Sequence, residues 1–181
     1  MSKTDEVFIS VDIEASGPIP GEYSMLSIGA CDAYRPELNF SCLVKPISPK
    51  VVPEAIAVTG LSLETLTDDG LSPEVAMAKF AAWIGEVSAD CTPVFVGLNA
   101  PFDWSFVNYY FIRYRGENPF GFTALDIKAL FMGVHRCSWR ETRSSNMKSV
   151  TGAQGAGNHT ALEDARYQAE LFRRVRELPG R

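Results

Sequence analysis

A chain of 181 residues with 46% hydrophobic and 11% aromatic residues has the size and composition of one globular domain. Its net charge of −5 and isoelectric point near 5.1 argue against a nucleic-acid binder driven by a strongly basic surface. No apolar run approaches the ~20 residues that cross a bilayer, and the N-terminus lacks the apolar segment of a signal peptide. The four cysteines are irregularly spaced without a CxxC pair, which favours reduced structural thiols over disulfides or zinc. We therefore expect a cytoplasmic protein with no membrane partner.

The first third of the chain is typical of strands. Apolar stretches that alternate or run between turn residues predict strands over 7–12, 24–34 and 39–46. Their short spacing suits an antiparallel meander. A proline-rich loop is predicted over 45–53.

The rest of the chain alternates helices with strands. Ser72 as N-cap and Pro73 at the first position begin a predicted helix over 71–87. The predicted order is then a strand over 93–99, a helix over 101–114, a strand over 122–127 with a short helix after it, and a long helix over 159–178. A meander followed by this alternation predicts an α/β fold in which helices pack on the faces of a mixed sheet.

Two acids, Asp12 and Glu14, follow the apolar residues of the first predicted strand in VFISVDIEASG. Residues two apart on a strand lie on the same side, so both carboxylates can face one ion. A cation between them would relieve their mutual repulsion. Because chance alone gives ~0.65 Asp-x-Glu triplets per chain, a solvated strand end explains the pair at least as well when it is taken alone.

Further acids stand beside other predicted strand ends and helix starts. Asp103 falls in the first turn of the 101–114 helix, where it either complements the helix dipole or faces the same cavity as Asp12. His159 and Asp164 begin the last helix in HTALED, where a helix cap and a solvent-exposed ion pair are the alternatives. Each signal is weak, but their conjunction in this order points to one metal site.

The motifs VDIEASG, LNAPFDWSFV and HTALEDARYQAEL resemble the three exonuclease motifs of the DnaQ-like 3′–5′ exonucleases, DEDDh branch, over nearly the whole chain. This family includes bacterial proofreading exonucleases, ribonuclease T and oligoribonuclease. The histidine branch fits because His159 lies five residues before Asp164, whereas the sister branch has Tyr where this chain has Thr160. Leu98 departs from the family, since many members have His there. The implied fold is ribonuclease H-like, a mixed five-stranded sheet flanked by helices, in a single exonuclease domain over 1–181.

The resemblance also implies the residues of the site. Its metal ligands map onto Asp12, Glu14, Asp103 and Asp164, and its general base onto His159. Substrate binding is implied for Ala15, Ser16, Thr59, Leu61, Asn99 and Phe102. Leu61, in the TGL motif at 59–61, would lean on the terminal base, with ordinary packing as the alternative.

The implied cofactor is a pair of divalent ions, because the family reaction uses two metals in one site. Oxygen ligands with at most one His favour Mg²⁺ or Mn²⁺ over zinc. By the same resemblance Asp12 bridges both ions, Glu14 and Asp164 hold the ion of the attacking water, and Asp103 helps to place the second. His159 then takes the proton of that water.

The expected function is metal-dependent 3′–5′ hydrolysis of phosphodiester bonds at the 3′ ends of single-stranded RNA or DNA. RNA or short oligonucleotides are slightly favoured over DNA proofreading or repair, because no polymerase-binding tail is evident after the last helix. The family also makes a homodimer plausible.

The segment 135–148 concentrates positive charge around Trp139, with one Glu among its basic residues. Its basic residues are Arg136, Arg140, Arg143 and Lys148. This segment would hold phosphates or stack a base, and an exposed solvated loop is an equally good interpretation. Asp126 is expected to cap a helix and not to serve as a fifth ligand.

Two other functional classes fit less well. A phosphatase with Asp12 as nucleophile would want a second Asp where Glu14 stands, and it leaves His159 without a role. A non-catalytic module that binds nucleic acid or a partner on the same fold predicts at least one lost catalytic residue, yet all five are present.

Overall fold

The sheet and its flanking helices follow the predicted order. The computed structural model describes residues 5–154 and 160–179. The strands are β1 (Glu6–Ala15), β2 (Met25–Asp32), β3 (Asn39–Leu43), β4 (Thr92–Gly97) and β5 (Ala124–Asp126). The helices are α1 (Pro53–Thr59), α2 (Leu63–Asp69), α3 (Pro73–Ser88), α4 (Pro101–Arg115), α5 (Ile127–His135), α6 (Ser144–Thr151) and α7 (Ala161–Glu177), with a 3₁₀ turn at Trp139–Glu141.

The five strands form one mixed sheet in the order β3-β2-β1-β4-β5. β2 runs antiparallel to both β1 and β3, which confirms the predicted meander. β4 and β5 run parallel to β1, as expected for strands that are separated by helices. β1 is therefore the central strand, with β3 and β5 at the edges.

Helices cover both faces of the sheet. On one face, α3 and α4 bury an aromatic core around Phe80, Phe95 and Phe111. On the other face, α7 lies across β1 and β2, and α5 and α6 pack beside it. Phe172 and Val175 of α7 are fully buried there. The mixed sheet flanked by helices is thus confirmed.

Two predicted helix caps are present. The Ser72 side chain accepts a hydrogen bond from the Val75 N–H at 3.4 Å, and Pro73 occupies the first turn of α3. The Asp126 side chain accepts hydrogen bonds from the N–H groups of Lys128 and Ala129 at the start of α5. Asp126 is the cap that the sequence predicted.

The structure differs from the prediction in three places. β1 continues past Asp12 to Ala15, so the first acids lie within the strand and not after it. Helices α1 and α2 were not predicted. Each has seven residues, α1 has no buried residue and α2 has only Leu66, which is too little for an apolar stripe. The segment 135–148 is not a plain loop, since it contains the 3₁₀ turn and the start of α6.

None of the helices within residues 5–154 and 160–179 is long and apolar enough to cross a membrane.

Candidate active site

Three carboxylates meet at the centre of the sheet. Asp12 and Glu14 project from β1, and Asp164 belongs to the first turn of α7. One oxygen of each lies within 4.8 Å of the others, and all three side chains are partly buried. The strand spacing of two and the helix start therefore bring together the acids that the sequence motifs singled out.

Gly29 allows α7 to come this close to the sheet. It lies on β2 directly opposite Asp12. A Cβ atom at position 29 would stand 2.1 Å from the backbone of both Ala161 and Leu162, at the start of α7. Backbone atoms cannot swing away, so only glycine permits this approach. Gly29 thus sets the distance between β1 and the helix that carries Asp164.

Asp103 lies next to this cluster, on α4. It is buried, and its Oδ1 accepts a hydrogen bond from the Ile13 N–H at 3.1 Å. Ile13 is the residue between the first two acids, so this bond ties the start of α4 to β1. The helix dipole also favours an acid in the first turn. The charge of Asp103 acts on both Asp12 and Glu14.

Burial and mutual repulsion raise the pKa values of the acids. Burial raises the pKa of Glu14 to about 7, with added repulsion from Asp164 and Asp103. The pKa of Asp12 lies well above its usual range through burial and through repulsion by Asp103, Asp164 and Glu14. Burial likewise raises the pKa of Asp103 to about 7. An added cation would favour the ionised forms of all three.

Gln168 is a residue that the sequence analysis missed. It is buried on α7, one turn after Asp164. Its amide nitrogen donates a hydrogen bond to Asp12 Oδ1, and its amide oxygen accepts one from the Leu98 N–H at 2.8 Å. One side chain therefore connects α7, β1 and the end of β4. The only sequence signal was a polar residue on the buried stripe of an amphipathic helix.

Position 98, where this chain departs from the family pattern, takes part through its backbone. The bond to Gln168 uses the N–H of Leu98, while its side chain packs against the core beneath α5 and α7. The missing histidine at this position thus leaves the carboxylate cluster intact.

Two residues expected to bind substrate lie at the end of β1. Ala15 is buried. Ser16 is fully buried, and its hydroxyl donates to the Lys50 carbonyl at 2.9 Å and accepts from the Ser24 N–H at 2.9 Å. The Ser16 hydroxyl is therefore engaged within the protein, where it fixes the loop around residue 50.

A cavity of about 490 Å³ opens beside Glu14 on the β2–β3 side of the cluster. Thr59 and Leu61 of the TGL motif line it from the end of α1, and Leu162 lines it from α7. Gly60 ends α1 in the left-handed conformation with φ 66°, which turns the chain between Thr59 and Leu61. The cavity is large enough for a nucleoside-sized group.

Asn99 and Phe102 lie on the other side of the cluster, after β4. Asn99 has a φ of 64°, an unusual conformation for a residue other than glycine. Its side-chain oxygen lies 3.4 Å from Lys128 Nζ. Phe102 is 37% exposed at the start of α4 and contacts Phe106. His159, the expected general base, lies outside the described residues.

The donor set fits a divalent cation. Carboxylate oxygens from three side chains within 4.8 Å are hard ligands of the kind that Mg²⁺ and Mn²⁺ prefer. Among the described residues, the carboxylate cluster includes no thiol or imidazole that would favour zinc. A mixed sheet flanked by helices on both faces, with such acids on its central strand, is the ribonuclease H-like arrangement that the sequence motifs implied.

Comparison with known sequences agrees with this class. Residues 9–172 match the family model described as Exonuclease. The chain is 59% identical over 178 residues to the 3′-5′ DNA exonuclease Cap18 of Escherichia coli, covering 97% of this chain and 95% of that protein. It is 27% identical to DNA polymerase III subunit epsilon of Aquifex aeolicus, covering 96% of this chain and 82% of that protein.

Solved structures share the fold at low sequence identity. The nuclease domain of 3′hExo, a DEDDh family member, bound to rAMP superposes with a TM-score of 0.76 at 15% identity, over 97% of this chain and 95% of that one. E. coli Exonuclease I in complex with a dT13 oligonucleotide gives a TM-score of 0.72 at 15% identity, over 96% of this chain and 41% of that one.

This chain belongs to the exonuclease family. It is a 3′–5′ exonuclease, a hydrolase of the phosphodiester bonds of nucleic acid.

Proposed function

We propose that this exonuclease removes mononucleotides from the 3′ end of single-stranded DNA with the help of two Mg²⁺ or Mn²⁺ ions. The observation that carries the proposal is the cluster of Asp12, Glu14 and Asp164 at the edge of the 490 Å³ cavity. DNA is favoured over the RNA expected from sequence because the 59% identical relative is a DNA exonuclease.

The cavity receives the terminal nucleoside in this proposal. Leu61 and Leu162 supply apolar surface for the base and sugar, and Thr59 also lines the cavity. The scissile phosphate then lies beside Glu14, at the carboxylate cluster. A cavity of this size holds one nucleoside and not a base pair, which is why a single-stranded end is the expected substrate.

Asp12, Glu14 and Asp164 would hold the cations, with Asp103 assisting, in the roles that the family resemblance implies. Bound divalent ions would activate a water molecule and stabilise charge on the leaving oxygen. Gln168 keeps Asp12 oriented through its amide hydrogen bond, and Asp103 keeps β1 in place through Ile13.

The reaction breaks the bond between phosphorus and the 3′-oxygen of the preceding nucleotide. His159 accepts the proton of the attacking water as that oxygen bonds to phosphorus. The 3′-oxygen leaves with the bonding electrons and takes a proton from solvent water. The products are a nucleoside 5′-monophosphate and a strand shortened by one nucleotide with a free 3′-hydroxyl.

The direct test uses 5′-labelled single-stranded DNA and RNA of the same sequence with Mg²⁺, with Mn²⁺ and with chelator. We expect a ladder that shortens from the 3′ end, needs metal and forms faster on DNA. The Asp12→Ala protein serves as the control for contaminating nucleases. Faster degradation of RNA would overturn the choice of substrate, and degradation in chelator would overturn the metal-dependent reaction.

His159→Ala separates the general base from the metal ligands. Removing a general base costs about 10²–10⁴-fold in rate. We expect that loss in kcat with an unchanged affinity for Mn²⁺, measured by titration. A collapse of Mn²⁺ affinity would make His159 a ligand and contradict its assignment as the base.

A further inference from the structure

A tryptophan and a lysine beyond the ends of β4 and β5 have no role in the proposed reaction. Lys128 Nζ lies 4.5 Å from the centre of the Trp139 ring and 3.4 Å from the side-chain oxygen of Asn99. Trp139 is 52% exposed. Residues of α5, of the 3₁₀ turn and of the segment after β4 thus form one aromatic and cationic surface, here called the Trp139–Lys128 patch.

The fold fixes the position of this patch next to the site. In the sheet, Asp126 pairs with Gly97, so the end of β5 lies beside the end of β4, which leads into Asn99. The Asp126 cap begins α5 at this point, and Lys128 is in its first turn. The Trp139–Lys128 patch therefore lies on the β4–β5 side of the carboxylates, whereas the cavity lies on the β2–β3 side.

The local backbone holds Trp139 in place. Ser138 and Glu141 form a capping box around the 3₁₀ turn, in which the Ser138 N–H and hydroxyl both donate to Glu141 Oε2, at 2.9 and 2.7 Å. Such a box fixes the short turn that carries the ring. The other tryptophans, Trp83 and Trp104, pack against the core below α3 and α4. Trp139 is presented to solvent instead.

The charge of Lys128 is available to a ligand. Within residues 5–154 and 160–179, Lys128 forms no ion pair with a carboxylate. An ammonium group over an aromatic ring is typical of surfaces that track a nucleic-acid strand, since the ammonium binds phosphate and the ring stacks on a base.

We propose that the Trp139–Lys128 patch is a subsite for a nucleotide upstream of the scissile phosphate, in which Trp139 stacks on the base and Lys128 binds the phosphate. This proposal rests on the proposed function. With the terminal nucleoside in the cavity and the scissile phosphate at the carboxylates, the preceding part of the strand continues toward β4 and β5. The enzyme accordingly prefers single strands of several nucleotides over dinucleotides.

The test measures kcat and KM over a series of substrates of increasing length. The series is the p-nitrophenyl ester of thymidine 5′-monophosphate, dT2, dT4 and dT8. The variants are Trp139→Ala, Trp139→Phe and Lys128→Ala. Matched controls are Phe122→Ala, which removes a 94% exposed ring in the loop before β5, and Arg115→Ala, which removes a cation at the far end of α4.

Loss of stacking on one base weakens binding by about 5- to 150-fold. We expect Trp139→Ala to raise KM for dT8 by that factor, with an increase that grows from the ester to dT8 and little change in kcat. Trp139→Phe retains most of the affinity, because phenylalanine also stacks. Lys128→Ala lowers the slope of log(kcat/KM) against log[salt] for dT8 by about 0.7, the value for one phosphate contact with a single strand.

Two results would overturn the subsite. The first is that Trp139→Ala and Phe122→Ala change the KM for dT8 equally. The second is that Trp139→Ala raises KM by the same factor for the ester and for dT8. If wild-type protein shortens no substrate, the proposed function fails, and fluorescence anisotropy of 5′-fluorescein dT8 tests the subsite by itself. In that case equal Kd values for wild type and Trp139→Ala would overturn it.

Discussion

Asp32 and Asp12 are carboxylates on adjacent strands whose surroundings are opposite. Asp32, at the end of β2, is buried and accepts hydrogen bonds from the N–H groups of Tyr34 and Arg35 and from the Arg35 guanidinium at 2.6 and 2.8 Å. Its charge is balanced within the protein. Asp12 receives an amide hydrogen bond from Gln168 and is otherwise surrounded by acids.

Compensating partners within the protein distinguish a structural acid from a functional one. Burying a carboxylate is costly unless a cation or several donors compensate, and Asp32 has both. At Asp12 the fold gathers further negative charge through Glu14 and Asp164. Ionisation of all these acids together is costly, as their raised pKa values show, and a bound cation removes that cost, which is why such a cluster is typical of a metal site.

The largest difference between Asp12 and Asp32 should appear in activity when each loses its negative charge. We expect Asp12→Asn to lower kcat on single-stranded DNA by on the order of 10³-fold or more, because a shared metal ligand contributes several kcal/mol. Asp32→Asn should keep full activity and lose ~1 kcal/mol of unfolding free energy, the value of a typical hydrogen-bonded contact. Activity assays and urea unfolding of both variants measure these changes. Comparable losses of activity would contradict the distinction.

The close approach of α7 to the sheet can be disrupted by a side-chain atom at position 29. Gly29→Ala places a Cβ atom against the backbone of Ala161 and must push the start of α7, with Asp164, away from β1. Overpacking of this kind costs about 1–3 kcal/mol, and a displacement of ~1 Å at a site can cost ~10²-fold in rate. We expect both losses, measured by thermal unfolding and by kcat. Gly85→Ala, in open space on α3, is the control and should be slightly stabilising. Unchanged activity of Gly29→Ala would show that this spacing is not required.

The hydrogen bond of Gln168 is expected to matter less. Loss of a group that orients a metal ligand typically costs about 10–100-fold in metal affinity or activity. Gln168→Leu removes the amide that holds Asp12, and Gln168→Glu also adds a fourth negative charge to the cluster. We expect weaker Mn²⁺ binding in Gln168→Leu and a smaller loss in Gln168→Glu, because the added negative charge attracts the cation. Mn²⁺ affinity by electron paramagnetic resonance, compared with Tm, separates this role from a purely structural one. Wild-type Mn²⁺ affinity in a stable Gln168→Leu protein would contradict it.

The sequence predicted the features that depend on local pattern. The alternation of β1 put Asp12 and Glu14 on one side, and Ser72 and Asp126 identified two helix starts. The order of strands and helices was sufficient for the mixed sheet. The motif order, through the family resemblance, brought Asp164 to the same site.

The features that the sequence did not reveal depend on contacts between distant elements. Gly29 is one of 14 glycines, and only the approach of α7 shows why it is needed. Gln168 and Asp12 are 156 residues apart, and no local pattern predicts their hydrogen bond. The contact of Lys128 with Trp139 likewise requires the 3₁₀ turn that the prediction lacked.

A further expected effect is a pH dependence of stability in the metal-free protein. The pKa of Glu14 and that of Asp103 are raised to about 7 by burial, from values of 4.5 and 3.8. At pH values between these ordinary pKa values and about 7, the folded protein holds protons that the unfolded chain has released. The contribution of these groups to the free energy of unfolding in chelator should therefore be fully present below about pH 4 and be lost as pH rises through about 7, and the raised pKa of Asp12 acts in the same direction.

Divalent metal should reverse this trend, because the cation replaces the protons on the acids. We expect Mg²⁺ to raise Tm little at pH 5 and most at pH 8. Each kcal/mol added to the free energy of unfolding raises Tm by about 2–4 °C for a chain of this length. Asp12→Asn, which removes one of the repelling charges, should weaken the pH dependence in chelator, whereas Asp32→Asn should leave it as in wild type. Thermal unfolding at pH 5, 6, 7 and 8 with and without Mg²⁺ measures this. A Tm that rises from pH 5 to pH 8 in chelator would mean that the acids are compensated within the protein, as Asp32 is, and would remove the electrostatic argument for a metal at this site.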